Sequence, residues 1–333
     1  MQVITALKKS SAAILLSSVL FACGGGGSGG DNTPQPPQQS GIAKAYLNEV
    51  ITVMRDNAIT RYDTDWGALE TEVNQIAINA TTISQTYPAI TRALELINTS
   101  HSFLNSPSGA LITYPSTIFC DQAFTMDSAN EAGIGYIRVD AVSSRDTTEG
   151  NAIATDIQSR IAQQDSAEIT AWIVDLRNNL GGNMWPMIAG LGPLFEGNPL
   201  GHFIDADENI RPWGYEDGRA VLDGNTITTV SAPYSLINPL PRLAVLSSRR
   251  VASSGEATLI AFKKQFNVRI FGTDSCGLST ANTAFPLSDG STLFLTTAIT
   301  ADREQEKYGE RVAVDQTVSP DNVLSEAIAW LNN

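Results

Sequence analysis

The chain has 333 residues, of which 42% are hydrophobic and 17% are charged. That composition provides enough apolar chain to bury one large hydrophobic core, or a large core beside a small one. The formal net charge of −14 argues against a nucleic-acid partner, because phosphate binding depends on clustered lysine and arginine side chains.

Residues 1–22 have the layout of a signal peptide. Lys8 and Lys9 precede an apolar stretch that is too short to span a bilayer as a helix. The stretch ends in "LFAC", which resembles the lipobox of bacterial lipoproteins, so we expect cleavage before Cys23 and lipid on its sulfur. Secretion with a free Cys23 is the alternative. The residue after Cys23 is glycine rather than aspartate. In a Gram-negative cell envelope, the resemblance to lipoproteins then implies a periplasm-facing protein anchored in the outer membrane.

Residues 23–40 are predicted to form a tether, since glycine, serine, proline and glutamine dominate and no apolar residue is available for a core. From residue 41 to residue 100, apolar residues recur at three- and four-residue spacing, which predicts three helices in a small N-terminal bundle. Pro88 fits the first turn of the third helix.

Residues 101–333 alternate predicted strands and helices, which indicates an α/β core with helices packed against a sheet. Residues 200–240 carry frequent turn signals and are interpreted as an inserted meander. The other predicted elements are a strand at 133–142, a helix at 150–164, a strand at 169–176, a short helix at 183–195, a strand at 243–248, a helix from 254 and strands at 268–272 and 289–300.

Two segments that follow predicted strands are candidates for an acyl-transfer site. In "VDLRNNLGG", residues 174–182, the glycine pair lets backbone N–H groups approach a ligand closely. In "SSGE", residues 253–256, a serine precedes a helix N-terminus, where free N–H groups can bind an anion. Taken singly, each segment also has a plain structural explanation, a strand-to-helix turn and a capping box respectively.

A serine hydroxyl is a weak nucleophile without a base, and the chain offers only two histidines. His101 lies in the polar turn "NTSHSFLN", directly after the predicted helices, whereas His202 lies in the meander. An ordinary imidazole has a pKa near 6.5, so the acid limb of kcat/KM is expected within about a unit of that value.

In order and spacing, the segments "GIGYIRVDAV", "IVDLRNNLGG", "SSGEATLIAF" and "FGTDSCGLST" resemble the core of the tail-specific, or C-terminal processing, serine proteases. The resemblance covers roughly residues 99–320 and implies a ClpP/crotonase-like α/β fold. It implies Ser253 as the nucleophile, and the backbone N–H groups of Ser254 and of Gly181 or Gly182 as donors to the oxyanion. It implies neither a cofactor nor a metal.

Two departures from the family pattern select a branch. Leu278 stands where many members carry a lysine base, and the span from His101 to Gly133 is too short for a PDZ domain. In both features the chain resembles the branch that contains the tricorn protease core and the nisin resistance protein. In that branch the base is a histidine in an "HS" turn. That resemblance implies His101 as the base. Four residues remain open as partners that orient its imidazole: Ser100, Glu256, Glu306 and Glu310.

The sequence therefore predicts a lipid-anchored serine endopeptidase that cleaves unfolded or terminal polypeptide segments, bound as an added strand at a sheet edge. A protease-fold lipoprotein without activity, which binds peptides or hydrophobic ligands, is the alternative, with the missing lysine as a sign of decay. Cys120 and Cys276 can form a disulfide in an oxidising compartment, or they can be two separate small residues.

Overall fold

The fold is built on two β-sheets, one parallel and one antiparallel. The computed structural model describes residues 39–333. The predicted signal peptide, the lipidation site Cys23 and the tether as far as residue 38 lie outside the described residues. Among the helices at positions 39–333, none is long and apolar enough to cross a membrane.

Seven α-helices and thirteen strands are found in the described residues. The helices are α1 (Gly41–Asn57), α2 (Trp66–Ile76), α3 (Tyr87–Ile97), α4 (Thr147–Gln164), α5 (Met184–Leu191), α6 (Ser254–Ala261) and α7 (Val323–Leu331). The strands are β1 (Phe103–Asn105), β2 (Leu111–Ile112), β3 (Ile134–Arg138), β4 (Ala171–Asp175), β5 (Gly201–Asp205), β6 (Ile210–Glu216), β7 (Arg219–Leu222), β8 (Asn225–Thr229), β9 (Arg242–Ser247), β10 (Val268–Gly272), β11 (Thr280–Pro286), β12 (Thr292–Asp302) and β13 (Gln316–Thr317).

The parallel sheet has the strand order β13-β10-β9-β4-β3 and is covered on both faces. Trp172 on β4 packs with α4 and α6, whereas its neighbour Ile173 packs with α7 on the other face. Every residue of β4 is buried, as a central parallel strand requires. Because β4 and β9 are adjacent, the loops at their carboxyl ends bring residues 176–182 and 248–253 side by side.

The antiparallel sheet has the strand order β2-β1-β12-β5-β6-β7-β8, and β11 pairs with β12 outside this path. The predicted meander thus belongs to a larger sheet, since β5 pairs directly with β12. Leu104 on β1 and Leu293 on β12 share one hydrophobic cluster with α1, α2 and α3. The turn that contains His101 joins α3 to β1, so the packing of the helices on this sheet positions the histidine.

The predicted α/β core with N-terminal helices is confirmed. Strands β1, β2, β11 and β13 and helix α7 were not predicted, because the four strands lack a long apolar alternation and α7 follows the last motif. The division of the chain at residue 100 stays a prediction. The shared cluster of α1–α3 with β1 and β12 places extensive packing across that position.

Candidate active site

Ser253 lies in a sharp turn between β9 and α6. Its backbone has φ 54° and ψ −120°, a conformation that is uncommon for a residue with a Cβ atom and costs about 1–3 kcal/mol. Its N–H group donates a hydrogen bond to Glu256 Oε2 at 2.8 Å, which closes the turn. The side chain of Ser253 is half-buried. The strained turn sets this side chain at the start of the helix, beside the N–H of Ser254, which donates to no described residue.

The glycine pair packs directly against this turn. A Cβ atom on Gly181 would lie 2.9 Å from Ser253 Cβ and 2.8 Å from Ser254 N, so only glycine fits there. The N–H of Gly181 donates to Asn179 Oδ1 at 2.8 Å, whereas the N–H of Gly182 has no partner among the described residues. Of the two glycine N–H groups that the sequence left open, the one on Gly182 is therefore free to face an oxyanion. Ser254 Oγ donates to Gly182 O at 2.8 Å and ties the two loops together.

Glu256 is fully buried and binds the loop at 275–278. Its Oε2 accepts from the N–H groups of Ser253 and Leu278, and its Oε1 accepts from Ser275 Oγ and Gly277 N. Burial raises the pKa of Glu256 to about 7, although these hydrogen bonds favour the ionised form. All four bonds hold backbone and loop, and none reaches the imidazole. Glu256, one of the four residues left open as partners of the imidazole, thus makes its hydrogen bonds to Ser253 and to the loop at 275–278.

A disulfide joins Cys120 to Cys276, with Cα atoms 5.0 Å apart, so the hypothesis of a pair is confirmed. Cys276 lies between two residues that bind Glu256, and its N–H donates to Val251 O at 2.8 Å. On the other side of the bond, Arg249 Nη2 donates to Phe119 O. The disulfide thus ties the irregular segment before β3 to the loop beside Ser253.

His101 contacts β11 at two points. Its Nδ1 lies 2.8 Å from Thr280 Oγ1, and its carbonyl oxygen accepts a hydrogen bond from Asn282 Nδ2 at 2.8 Å. The side chain is half-buried, and burial lowers the pKa of His101 to about 4. At neutral pH the imidazole is therefore uncharged, which leaves one ring nitrogen with a lone pair.

None of the three other candidate partners hydrogen-bonds the imidazole within the part of the chain that the structure describes. The N–H of Ser100 donates to Tyr114 Oη at 2.7 Å. Glu306 pairs with Lys264 at 3.0 Å, and the side chain of Glu310 is exposed. Thr280 takes the place that these residues were expected to fill, and the sequence shows no signal for it beyond its position two residues after Leu278.

The loop between Glu256 and β11 connects the serine to the histidine. Leu278 and Ser253 donate to the same oxygen of Glu256, and Thr280, two residues further along, contacts His101. His202, the other histidine, is buried in the antiparallel sheet, where its Nδ1 lies 2.8 Å from Asp302 O. The described residues thus place a strained serine beside two free N–H groups, and a neutral imidazole at the far end of the loop that follows Glu256. No hydrogen bond joins Ser253 to His101 within residues 39–333.

The comparisons with a family model, a related sequence and solved structures agree with one another. The model of peptidase family S41 matches residues 133–321, more than half of the chain. The nisin-resistance protein of Lactococcus lactis subsp. lactis is 26% identical over 288 residues, which cover 86% of each chain. A lipoprotein from Streptococcus agalactiae shares the fold with a TM-score of 0.69 and 21% identity, covering 88% of this chain and 97% of that one. The photosystem II D1 C-terminal processing protease also shares the fold, with a TM-score of 0.54 and 16% identity, covering 87% of this chain and 97% of that one.

Proposed function

Because the chain belongs to peptidase family S41, we propose that it is a serine endopeptidase in which Ser253 is the nucleophile and His101 is its base. The observation that carries this proposal is the turn at Ser253. A residue with a Cβ atom is held at φ 54°, beside two N–H groups that have no partner in the described chain. Strain of this kind persists only where the surroundings enforce it, and it is concentrated at functional sites.

In the proposed reaction, Ser253 Oγ attacks the carbonyl carbon of the scissile peptide bond and His101 Nε2 accepts the hydroxyl proton. The negative charge that develops on the carbonyl oxygen is bound by the N–H groups of Ser254 and Gly182. His101 then gives the proton to the leaving amine, the C–N bond breaks and an acyl-enzyme remains. Water, deprotonated by the same imidazole, hydrolyses the ester and restores Ser253.

The contact with Thr280 is compatible with the tautomer that this reaction needs. If Nδ1 of His101 donates its proton to Thr280 Oγ1, the lone pair of the neutral ring is on Nε2. The depressed pKa of His101 keeps that lone pair available at neutral pH. Because a threonine hydroxyl carries no charge, it orients the ring but stabilises the imidazolium less than a carboxylate would.

An extended peptide has an open sheet edge beside the proposed dyad. β11 pairs with β12 alone, and the hydrogen bonds at the two ends of that pair fix the alternation along β11. By this alternation, the backbone groups of Thr280, Asn282 and Ala284 point away from β12, and they have no partner among residues 39–333. Since β11 begins at the residue that contacts His101, a substrate strand added to this edge leads directly to the proposed dyad.

The proposal includes a lipid anchor on Cys23 in the bacterial cell envelope, facing the periplasm of a Gram-negative cell. It is supported by the signal-peptide layout and by the lipobox-like "LFAC". The fold relative from Streptococcus agalactiae is itself described as a lipoprotein. Metabolic labelling with a fatty-acid analogue should mark the mature protein and should fail with Cys23→Ser. A fully soluble, unlabelled wild-type protein would contradict the anchor.

A digest of an unbiased peptide library by the purified protein tests the proposed activity. Nisin belongs in the panel, because the curated relative is named for resistance to it. We expect discrete cleavage products with the wild type and none with Ser253→Ala, which serves as the matched control. Saturable binding of intact peptides by the wild type, without cleavage, would overturn the proposal in favour of a protease-fold binding protein.

A further inference from the structure

Arg145 lies between the two halves of the proposed site. It follows Val142 by three residues, and Val142 forms a β-bridge with Gly182, whose N–H is free. The Arg145 guanidinium carbon lies 3.9 Å from the centre of the Phe294 ring. That ring stacks on Phe103 with 4.8 Å between ring centres, and Phe103 is two residues after His101. Arg145 is thus connected to the oxyanion side through its own loop and to the base side through two stacked rings.

The Arg145 guanidinium has no acidic partner within residues 39–333. On neighbouring elements, Arg160 pairs with Asp156 at 2.9 Å, and Arg177 pairs with Asp175 at 2.7 Å. For Arg145, burial lowers the pKa and no carboxylate opposes that effect. The group nevertheless stays charged, because the guanidinium does not lose its proton in proteins.

Stacking on Phe294 leaves the hydrogen-bonding edge of the guanidinium available. The guanidinium carbon lies 3.9 Å from the ring centre, and none of the N–H donors makes a hydrogen bond to the described residues. This fork matches the geometry of a carboxylate and can bind it with two parallel hydrogen bonds. The aromatic pair therefore holds a cation whose donors are unused by the described residues.

We propose that Arg145 is a specificity-determining residue that binds a carboxylate of the substrate near the scissile bond. Arg145 follows Val142 by three residues, and three residues of extended chain span at most about 10 Å, so we expect the carboxylate within about four residues of the scissile carbonyl. It is the side chain of an acidic residue or the C-terminal carboxylate of a polypeptide tail. This inference rests on the proposed peptidase function and adds to it the chemistry of the preferred substrate.

The test uses a peptide that the library digest shows to be cleaved. Each position within four residues of the scissile bond is varied as glutamate, glutamine or lysine, and the C-terminus is either a free acid or an amide. We expect glutamate to be preferred over glutamine at one position, by about 10- to 100-fold in kcat/KM, as a charged hydrogen bond predicts. A preference for the free acid over the amide, close to the scissile bond, would identify the C-terminal carboxylate instead.

Substitutions of Arg145 decide whether this preference belongs to it. Arg145→Gln should abolish the preference for the carboxylate, and Arg145→Glu should reverse it in favour of lysine. The matched control is Arg160→Gln, at a half-buried arginine of α4 that pairs with Asp156, and it should leave the preference unchanged. If Arg145→Gln slowed all peptides equally, or kept the preference, the inference would be wrong.

A binding measurement keeps this inference separate from the proposed activity. In the Ser253→Ala background, fluorescence anisotropy reports the Kd of the labelled glutamate and glutamine peptides without any cleavage. We expect tighter binding of the glutamate peptide, and loss of that difference when Arg145→Gln is added. Equal binding of both peptides would overturn the carboxylate site even if the wild type is an active peptidase. The predicted difference in a wild type that cleaves nothing would support the site and contradict the proposed activity.

Discussion

The two halves of the proposed site are held in different ways. The serine half is held mainly by backbone hydrogen bonds, at the carboxyl ends of two adjacent parallel strands, around the fully buried Glu256. The histidine half is a turn on the antiparallel sheet, and its imidazole is held by one hydrogen bond to Thr280. The comparison teaches that the proposed nucleophile depends on the integrity of a loop network, whereas the proposed base makes a single side-chain hydrogen bond within residues 39–333.

Removal of the side chain of Ser253 or of His101 should have the largest effect on kcat. The two losses should be alike, although the two halves of the proposed site are held differently. Ser253→Ala and His101→Ala should each lower kcat by about 10⁴-fold or more, and the double variant should cost little more, because the two act as a unit. Peptide cleavage rates give the measurement, and circular dichroism checks that each variant is folded. Near-full activity of His101→Ala would break the assignment of the base.

Glu256→Gln should be the next most damaging change, because it puts an amide donor among four hydrogen-bond donors. We expect the free energy of unfolding to fall by about 2–4 kcal/mol and activity to fall with it. Urea unfolding measures the loss of stability. Glu310→Gln is the matched control, since its side chain is exposed.

The outcome of that pair also tests the division of roles between the glutamates. If Glu256→Gln kept its stability and activity while Glu310→Gln lost its activity, the role of orienting the imidazole would belong to Glu310. The loop network at 275–278 would then no longer explain how Ser253 is held.

Thr280→Val should have a smaller effect, because it removes one neutral hydrogen bond and keeps the shape of the side chain. We expect kcat/KM to fall about tenfold, and Thr280→Ser to restore most of it. The ¹⁵N spectrum of the ring nitrogens should show the Nδ1–H tautomer of His101 in the wild type and a mixture in the valine variant.

His202 provides the internal reference for that spectrum, because its buried Nδ1 faces the carbonyl oxygen of Asp302. Its resonances should be the same in both proteins. An unchanged His101 spectrum and rate in Thr280→Val would contradict the positioning role of the threonine.

A change of pH near neutrality should have the smallest effect on kcat/KM. Since burial lowers the pKa of His101 to about 4, the base is already deprotonated above pH 5, and kcat/KM should fall only as pH drops towards 4. The sequence alone placed the acid limb within about a unit of 6.5, so the measured pH profile decides between the two expectations. The lowered pKa also stabilises the folded protein above pH 6.5, and this contribution is lost as the pH falls from 6.5 to 4. A ring resonance of His101 that titrates at 6.5 would contradict both statements.

The serine half could be predicted from the sequence because each of its parts is a short motif of neighbouring residues. Ser253 and Glu256 lie three residues apart, and the glycine pair follows a buried strand. The choice between Gly181 and Gly182 could not be predicted, since it depends on where the side chain of Asn179 points. The partner of His101 could not be predicted either, because Thr280 is 179 residues away along the chain.

Covalent labelling with a fluorophosphonate probe, followed by mapping of the modified residue, tests the central claim most directly. If Ser253 is activated by His101, the wild type should be labelled at Ser253, and labelling should be lost in Ser253→Ala and strongly slowed in His101→Ala. Ser254→Ala should still be labelled, because the proposed reaction requires only its backbone N–H. An unlabelled wild type, or a label on Ser254 or another serine, would contradict the account.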